Sequence, residues 1–188
     1  MTDVCYGLVL AGGRSTRMGE DKGQLIYHGL PQREYAYRLL APFCSRVYLS
    51  CRAEQQVPAY LHPLPDRFSV ESPLNGLLTA FHHHQDAMWL TLPVDMPLVN
   101  SILIGFLMQQ RNPEAVATCF FDSTGKMPEP LLALWEAKAG SQLMAFFKAG
   151  GISPREFLVK QKAHCVHAPD SRLLLNINTP AERKRAGL

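Results

Sequence analysis

The chain has 188 residues, 47% of them hydrophobic, and a formal net charge of +3. That length predicts one well-buried domain over residues 1–188 and leaves too little for two. The charged side chains are scattered instead of gathered into a basic block, which gives no reason to expect nucleic acid, and no apolar run reaches the roughly 18 residues of a membrane span.

The five cysteines, Cys5, Cys44, Cys51, Cys119 and Cys165, are odd in number, lie mostly in apolar runs and form no Cys-x-x-Cys pair. They are expected as reduced core residues of a cytoplasmic protein. The N-terminus enters its first strand within about four residues, with no positively charged lead or cleavage-site pattern, so no signal peptide is expected.

The apolar run Val4 to Leu10 has the length and continuous burial pattern of a central parallel strand, and it stops at Gly12-Gly13. Beyond a cationic stretch, Gln24 to Tyr27 and the turn His28-Gly29-Leu30-Pro31 lead into a helix near Arg33 to Pro42, with Tyr35, Leu39 and Leu40 at helical spacing. Arg46 to Cys51 is the second strand, followed by a polar piece, Arg52 to Gln56, and a proline-rich connection carrying Asp66. Ser72-Pro73-Leu74-Asn75-Gly76 introduces a helix through about Gln85 with Asn75 as its expected cap. Met88 to Leu92 is the third strand. Pro93 and Pro97 on either side of Asp95 stop the ladder there, which puts this aspartate at the carboxyl end of a central strand, the edge at which open parallel sheets bind ligands.

Asn100 is placed to cap a helix to Gln110, and Ala115 to Phe120 is the fourth strand. Asp122 to Gly125 is a turn, and Pro130 to Leu134 predicts a returning antiparallel strand. Helices are expected near Trp135 to Lys148 and from Ser153-Pro154-Arg155-Glu156, which has the capping-box spacing. A short strand around His164 to His167 precedes Leu173 to Asn178, and Thr179-Pro180-Ala181-Glu182 is a second capping box that opens a terminal helix. Strand and helix alternate over the first two thirds, so the fold class is α/β: a three-layer arrangement around a mostly parallel central sheet, with an antiparallel addition in the C-terminal third. His82, His83 and His84 are consecutive, and helical neighbours point about 100° apart, so they cannot converge on one metal ion and are expected on a solvated helix face. Arg183, Lys184 and Arg185 are expected at a solvated helix end.

The stretch from Leu10 to Lys22, Leu-Ala-Gly-Gly-Arg-Ser-Thr-Arg-Met-Gly-Glu-Asp-Lys, reads as a triphosphate-binding loop. Adjacent glycines at 12 and 13 have no Cβ to obstruct a ligand and can turn backbone N–H groups toward an anion. Arg14, Arg17 and Lys22 add three cations within nine residues, a density suited to a polyphosphate. The Walker pattern is excluded, because Gly13 is followed five places later by Met18 and Gly19 precedes Glu20. The dinucleotide fingerprint fails because Gly12 and Gly13 are contiguous and position 14 is arginine.

This loop resembles the signature of the nucleotidyltransferases of Rossmann-like fold and, with Asp21-Lys22 in place of proline-lysine, that of the molybdenum cofactor guanylyltransferases. The resemblance continues through Asp66, Ser72-Pro73-Leu74-Asn75-Gly76, Pro93-Val94-Asp95-Met96-Pro97, Glu129 to Leu134 and Leu175 to Pro180, in the family's order. It implies a magnesium-dependent, cytoplasmic enzyme that joins the GMP part of GTP to molybdopterin, or to the molybdenum cofactor, and releases pyrophosphate. It further implies that backbone groups of Leu10, Ala11 and Gly12 hold guanine and ribose. Gly13, Arg14, Arg17 and Lys22 would then steady the triphosphate, with Arg17, Lys22 and Asp95 as the catalytic set. Ser50 and Asp66 would recognise the nucleoside, Asp95 would hold Mg2+, and Asn176 and Asn178 would lie on the pterin side. Molybdoenzyme apo-proteins and other cofactor-biosynthesis proteins are the implied partners.

Two residues depart from the family pattern: Ser72 stands where glycine is usual, and Ser50 where some members have asparagine. Both bear on base selectivity more than on reaction type. The alternatives are a cytidylyltransferase or sugar-phosphate nucleotidyltransferase of the same fold, or a catalytically silent nucleotide-binding relative.

Overall fold

The structure, a computed structural model, describes residues 4–12 and 22–188. Among the described residues seven strands form one sheet: β1 (Cys5–Leu10), β2 (Arg46–Cys51), β3 (Pro63–Pro65), β4 (Met88–Pro93), β5 (Ala117–Phe121), β6 (Pro128–Trp135) and β7 (His164–Val166). Their spatial order is β3-β2-β1-β4-β6-β5-β7. Every pairing is parallel except those of β6, which runs against both β4 and β5. The expected parallel sheet with a late antiparallel addition is therefore present.

The alternation of side chains along the central strands builds two cores. On one face Val9, Leu49, Leu90 and Leu92 pack with Ala36 and Leu40 of α1 (Gln32–Leu40) and with Leu103, Ile104 and Leu107 of α3 (Ser101–Gln109). On the other, Leu8, Leu10, Tyr48 and Trp89 pack with Leu74, Leu77 and Leu78 of α2 (Leu74–His83), Leu143 of α4 (Ala139–Lys148), and Phe157 and Leu158 of α5 (Pro154–Lys160). A sheet buried on both faces explains why β1 and β4 read as unbroken apolar runs. The chain moves outward from β1 to β2 and β3, then returns across β1 to β4. That reversal opens a crevice at the carboxyl ends of β1 and β4.

Side chains set the helix ends as the sequence predicts at three places. Asn100 Oδ1 accepts from Leu103 N at 2.9 Å, Ser153 Oγ from Glu156 N at 3.2 Å, and Thr179 Oγ1 from Glu182 N at 3.2 Å, where α6 (Pro180–Arg185) begins. Elsewhere the structure corrects the expectation. Helix α2 is preceded by Pro73 and runs only to His83; Asn75 lies inside it and caps nothing. Trp135 ends β6, paired with both Trp89 and Ala117, and α4 begins only at Ala139. The connection before Asp66 contains β3, which pairs with β2 alone; prolines are tolerated on such an edge.

The histidine triplet divides. His82 and His83 are exposed, while His84 stacks on Tyr6 with ring centroids 4.1 Å apart, and its Nε2 lies 2.9 Å from Tyr48 Oη. Among the described residues no group of three or more His, Cys, Asp and Glu side chains could hold a metal ion. Arg183 also departs from a solvated helix end: it donates to Ile26 O at 3.2 Å and lies over the Tyr27 ring. The cysteines are free thiols, with the Sγ atoms of Cys119 and Cys165 3.6 Å apart. No helix among the described residues is long and apolar enough to cross a membrane.

Candidate functional site

The carboxyl ends of β1, β2 and β4 are held together by a ladder that continues past the strands. Ala11 N donates to Ser50 O at 3.1 Å, Val94 N to Leu10 O at 3.3 Å, and Asp66 N to Cys51 O at 2.9 Å. Beyond the strand ends lies a cavity of about 760 Å³, large enough for a small-molecule ligand. Leu10, Ala11 and Gly12 line it together with Lys22, Ser50, Asp66 and Asp95. Of the other residues singled out from the sequence, Gly13, Arg14, Arg17 and Asp21 lie outside the described residues.

Each polar side chain arrives for a local reason. Ser50 is the last residue but one of β2 and donates to Asp66 Oδ1 at 3.4 Å. Burial pushes the Asp66 carboxyl up, opposed by the Ser50 hydroxyl and by Arg52. A Cβ at position 12 would stand 3.3 Å from Asp66 Oδ2 and 3.8 Å from Arg52 N, so glycine there lets the aspartate reach the end of β1. From outside the cavity, Gln55 Nε2 donates to Ala11 O at 3.3 Å.

Asp95 stands two residues past β4, half-buried, with Oδ1 sealed from solvent and without a hydrogen-bond partner among the described residues. Burial raises its pKa, and the positive charge of Lys22 opposes that. The C-terminal segment closes over it: Ile177 N donates to Asp95 O at 2.7 Å. The same segment delivers Asn178, whose Oδ1 accepts from Lys22 Nζ across 156 positions. Asn176 is exposed, and neither asparagine lines the cavity itself. Lys22, Asp95 and Asn178 are thus brought to one edge by three distant parts of the chain.

Sequence reasoning missed the residues that shape the wall. Asn75, 6% exposed, holds residues 67–70 in place: its Oδ1 accepts from Arg67 N at 3.2 Å and Phe68 N at 3.0 Å, and its Nδ2 donates to Phe68 O and Val70 O. An asparagine is well suited to bind its neighbours' backbone in this way, so the residue type was a signal although the cap was the wrong partner. Glu129, 3% exposed at the start of β6, accepts from Leu131 N at 2.9 Å and stands 3.7 Å from the Arg155 guanidinium. Burial raises its pKa against those two partners, and the negative charge of Asp95 raises it further, so the two carboxylates share one edge. A glutamate between two prolines, Pro128 and Pro130, was the available sign of it.

Gly76 lets α2 approach the strand ends. A Cβ there would lie 2.5 Å from Ser50 Oγ and 2.9 Å from Leu10 Cδ2. Gly76→Ala should therefore cost about 1–3 kcal/mol, measurable by denaturant unfolding, and displace Ser50 from Asp66. Unchanged stability would mean that α2 shifts freely.

The sequence matches the MobA-like NTP transferase domain over residues 7–165. The chain belongs to that family. As a MobA-like NTP transferase it is a nucleotidyltransferase, and its relatives agree. It is 32% identical over 182 residues to a molybdenum cofactor guanylyltransferase of Pseudomonas paraeruginosa, with 94% of this chain and 91% of that protein covered. It is 37% identical over 185 residues to a molybdenum cofactor biosynthesis bifunctional protein of Synechocystis sp., covering 94% of this chain; it spans only about half of that relative, 52%. The crystal structure of molybdopterin-guanine dinucleotide biosynthesis protein A from Archaeoglobus fulgidus shares the fold, with a TM-score of 0.75, 23% identity and 96% of each chain covered. In a MobA-like NTP transferase, a cavity at the carboxyl edge that combines a glycine, a lysine and a sealed carboxylate oxygen is suited to a nucleoside triphosphate.

Proposed function

We propose that this protein transfers the GMP moiety of GTP to the phosphate of molybdopterin, or of its metal-bearing form, and releases pyrophosphate. The observation that carries the reading is the 32% identity to a guanylyltransferase of which the chain covers 91%. An acceptor phosphate oxygen attacks the α-phosphorus as its bond to the β-phosphate oxygen breaks, and negative charge gathers on the departing pyrophosphate. No covalent enzyme intermediate is required, so the protein contributes position and electrostatics.

In this reading the Leu10–Gly12 backbone holds guanine and ribose. Asp66, steadied by Ser50 at 3.4 Å, accepts from the guanine N–H groups. Lys22, hydrogen-bonded to Asn178, places its charge against the phosphates, and Gly13, Arg14 and Arg17, outside the described residues, are assigned to the same group from the sequence. Asn176 and Asn178 face the pterin. Asp95 fits a magnesium ligand: its Oδ1 is buried without a partner among the described residues, and a hard cation prefers carboxylate oxygen. Bound there with the triphosphate, magnesium would supply charge neutralisation at the phosphates. The protein would work in the cytoplasm and pass its product to molybdoenzyme apo-proteins.

The test is pyrophosphate release by purified protein with molybdopterin, magnesium and each nucleotide in turn. Release with GTP is expected. Preference for CTP would make the protein a cytidylyltransferase, and no release with any nucleotide would make it a silent binding relative.

A further inference from the structure

The cavity wall made by residues 68–73 leans at two points on the segment that runs from the end of α4 through the turn before α5. Ser72 Oγ donates to Ile152 O at 2.7 Å, a contact between positions 80 residues apart, and accepts from Leu74 N at 3.2 Å. Phe68 meets Phe147, at the end of α4, edge to face with centroids 5.9 Å apart. The turn that receives these contacts is itself well fixed. Gly150 N and Gly151 N donate to Phe147 O and Phe146 O at 2.9 and 3.0 Å, Gly150 takes φ +88°, and a Cβ at Gly151 would lie 2.3 Å from the Phe146 ring. Ser72 therefore joins a wall of the nucleotide cavity to an anchored point outside it. The family resemblance has glycine at this place, which has no side chain to make the link.

We propose that Ser72 is a positioning residue for nucleotide binding, fastening the 68–73 wall to the Ile152 carbonyl so that the wall is ordered before the nucleotide arrives. The proposal rests on the reading of this cavity as the nucleotide site. Asn75 holds the front of the wall, through Phe68 and Val70, and Ser72 holds its rear, at the entry to α2. A wall ordered in advance spares the ligand that ordering cost, so the effect of the link falls on binding and leaves the chemical step alone. The Ser72 hydroxyl is directed to the Ile152 carbonyl.

The experiment compares wild type, Ser72→Ala and Ser72→Thr by calorimetric titration with GTP and magnesium, by steady-state kinetics, and by hydrogen exchange of residues 68–73 without nucleotide. Loss of one hydrogen bond predicts about fivefold weaker GTP binding and a matching rise in KM for Ser72→Ala. Its kcat should stay within about twofold of wild type, and exchange across 68–73 should be faster. Ser72→Thr keeps the hydroxyl and should restore both affinity and protection. Unchanged affinity or unchanged exchange in Ser72→Ala overturns the proposal. If wild type binds no nucleotide, the guanylyl reading fails instead, and exchange at 68–73 alone then decides the fastening.

Discussion

Lys22→Ala should lower turnover about a hundredfold, the scale seen when a preorganised donor to developing charge is removed. Two effects add. The ammonium group is lost from the cavity where the phosphates would lie, and charge-assisted contacts to phosphate are the strong kind. The variant also withdraws the positive charge that opposes burial at Asp95, so that carboxyl would rise further and hold a cation less well. Asn178 would lose the donor to its Oδ1, loosening the C-terminal segment that covers Asp95. Initial rates of pyrophosphate release, with kcat and KM for GTP resolved, check this. Lys22→Arg should recover only part of the activity, because a planar guanidinium does not reproduce a compact ammonium. Activity of Lys22→Ala within threefold of wild type would remove Lys22 from the phosphate site.

The lysine illustrates which parts of the site could be read from the chain. Local patterns located the strand ends near it: an apolar run that stops before Gly12 marks β1, and prolines around Asp95 mark the end of β4. Both signals depend on burial and backbone chemistry within a few residues. The Lys22–Asn178 bond spans 156 positions and has no local signature; the family resemblance alone had associated the two residues with one site. Where expectation failed, tertiary partners outweighed propensity. Trp135 sits at the boundary of a helical pattern, but pairing with two strands keeps it extended. The Pro63-Leu64-Pro65 segment lacks strand propensity and forms β3 because only one of its edges is paired. Asn75 has the residue type of a cap, and the backbone of its neighbouring loop captures it first. His84 belongs to an exposed-looking triplet, but lies where α2 ends against Tyr6 and Tyr48.

Asp95→Asn should abolish detectable guanylyl transfer, a fall of more than about hundredfold, while leaving the ligand-free protein at least as stable as wild type at pH 7. The reason lies in the isolation of the carboxylate. Oδ1 is sealed and has no partner among the described residues, so the fold bears a desolvation cost whenever Asp95 is ionised, offset only in part by Lys22. Burial, opposed by Lys22, leaves the folded pKa above the unfolded value of about 3.9. In the interval between those two values the folded state binds more protons than the unfolded one, so the Asp95 contribution to stability declines as pH rises and stays unfavourable above it. The melting temperature of Asp95→Asn minus that of wild type should therefore be near zero at and below about pH 4, rise as pH increases beyond it, and level off above the raised folded pKa. Asp66, whose carboxyl burial also raises, is common to both proteins and cancels in the difference, whereas Glu129 loses the repulsion of the Asp95 charge in the variant, which adds to the difference in the same direction. Added GTP and magnesium should reverse the order at pH 7, raising the wild-type melting temperature by several degrees through ligand linkage while the variant moves little. A ligand-free variant that melts well below wild type at pH 7 would show that the protein itself satisfies this carboxylate, which would make Asp95 a structural anchor and not the cation's ligand.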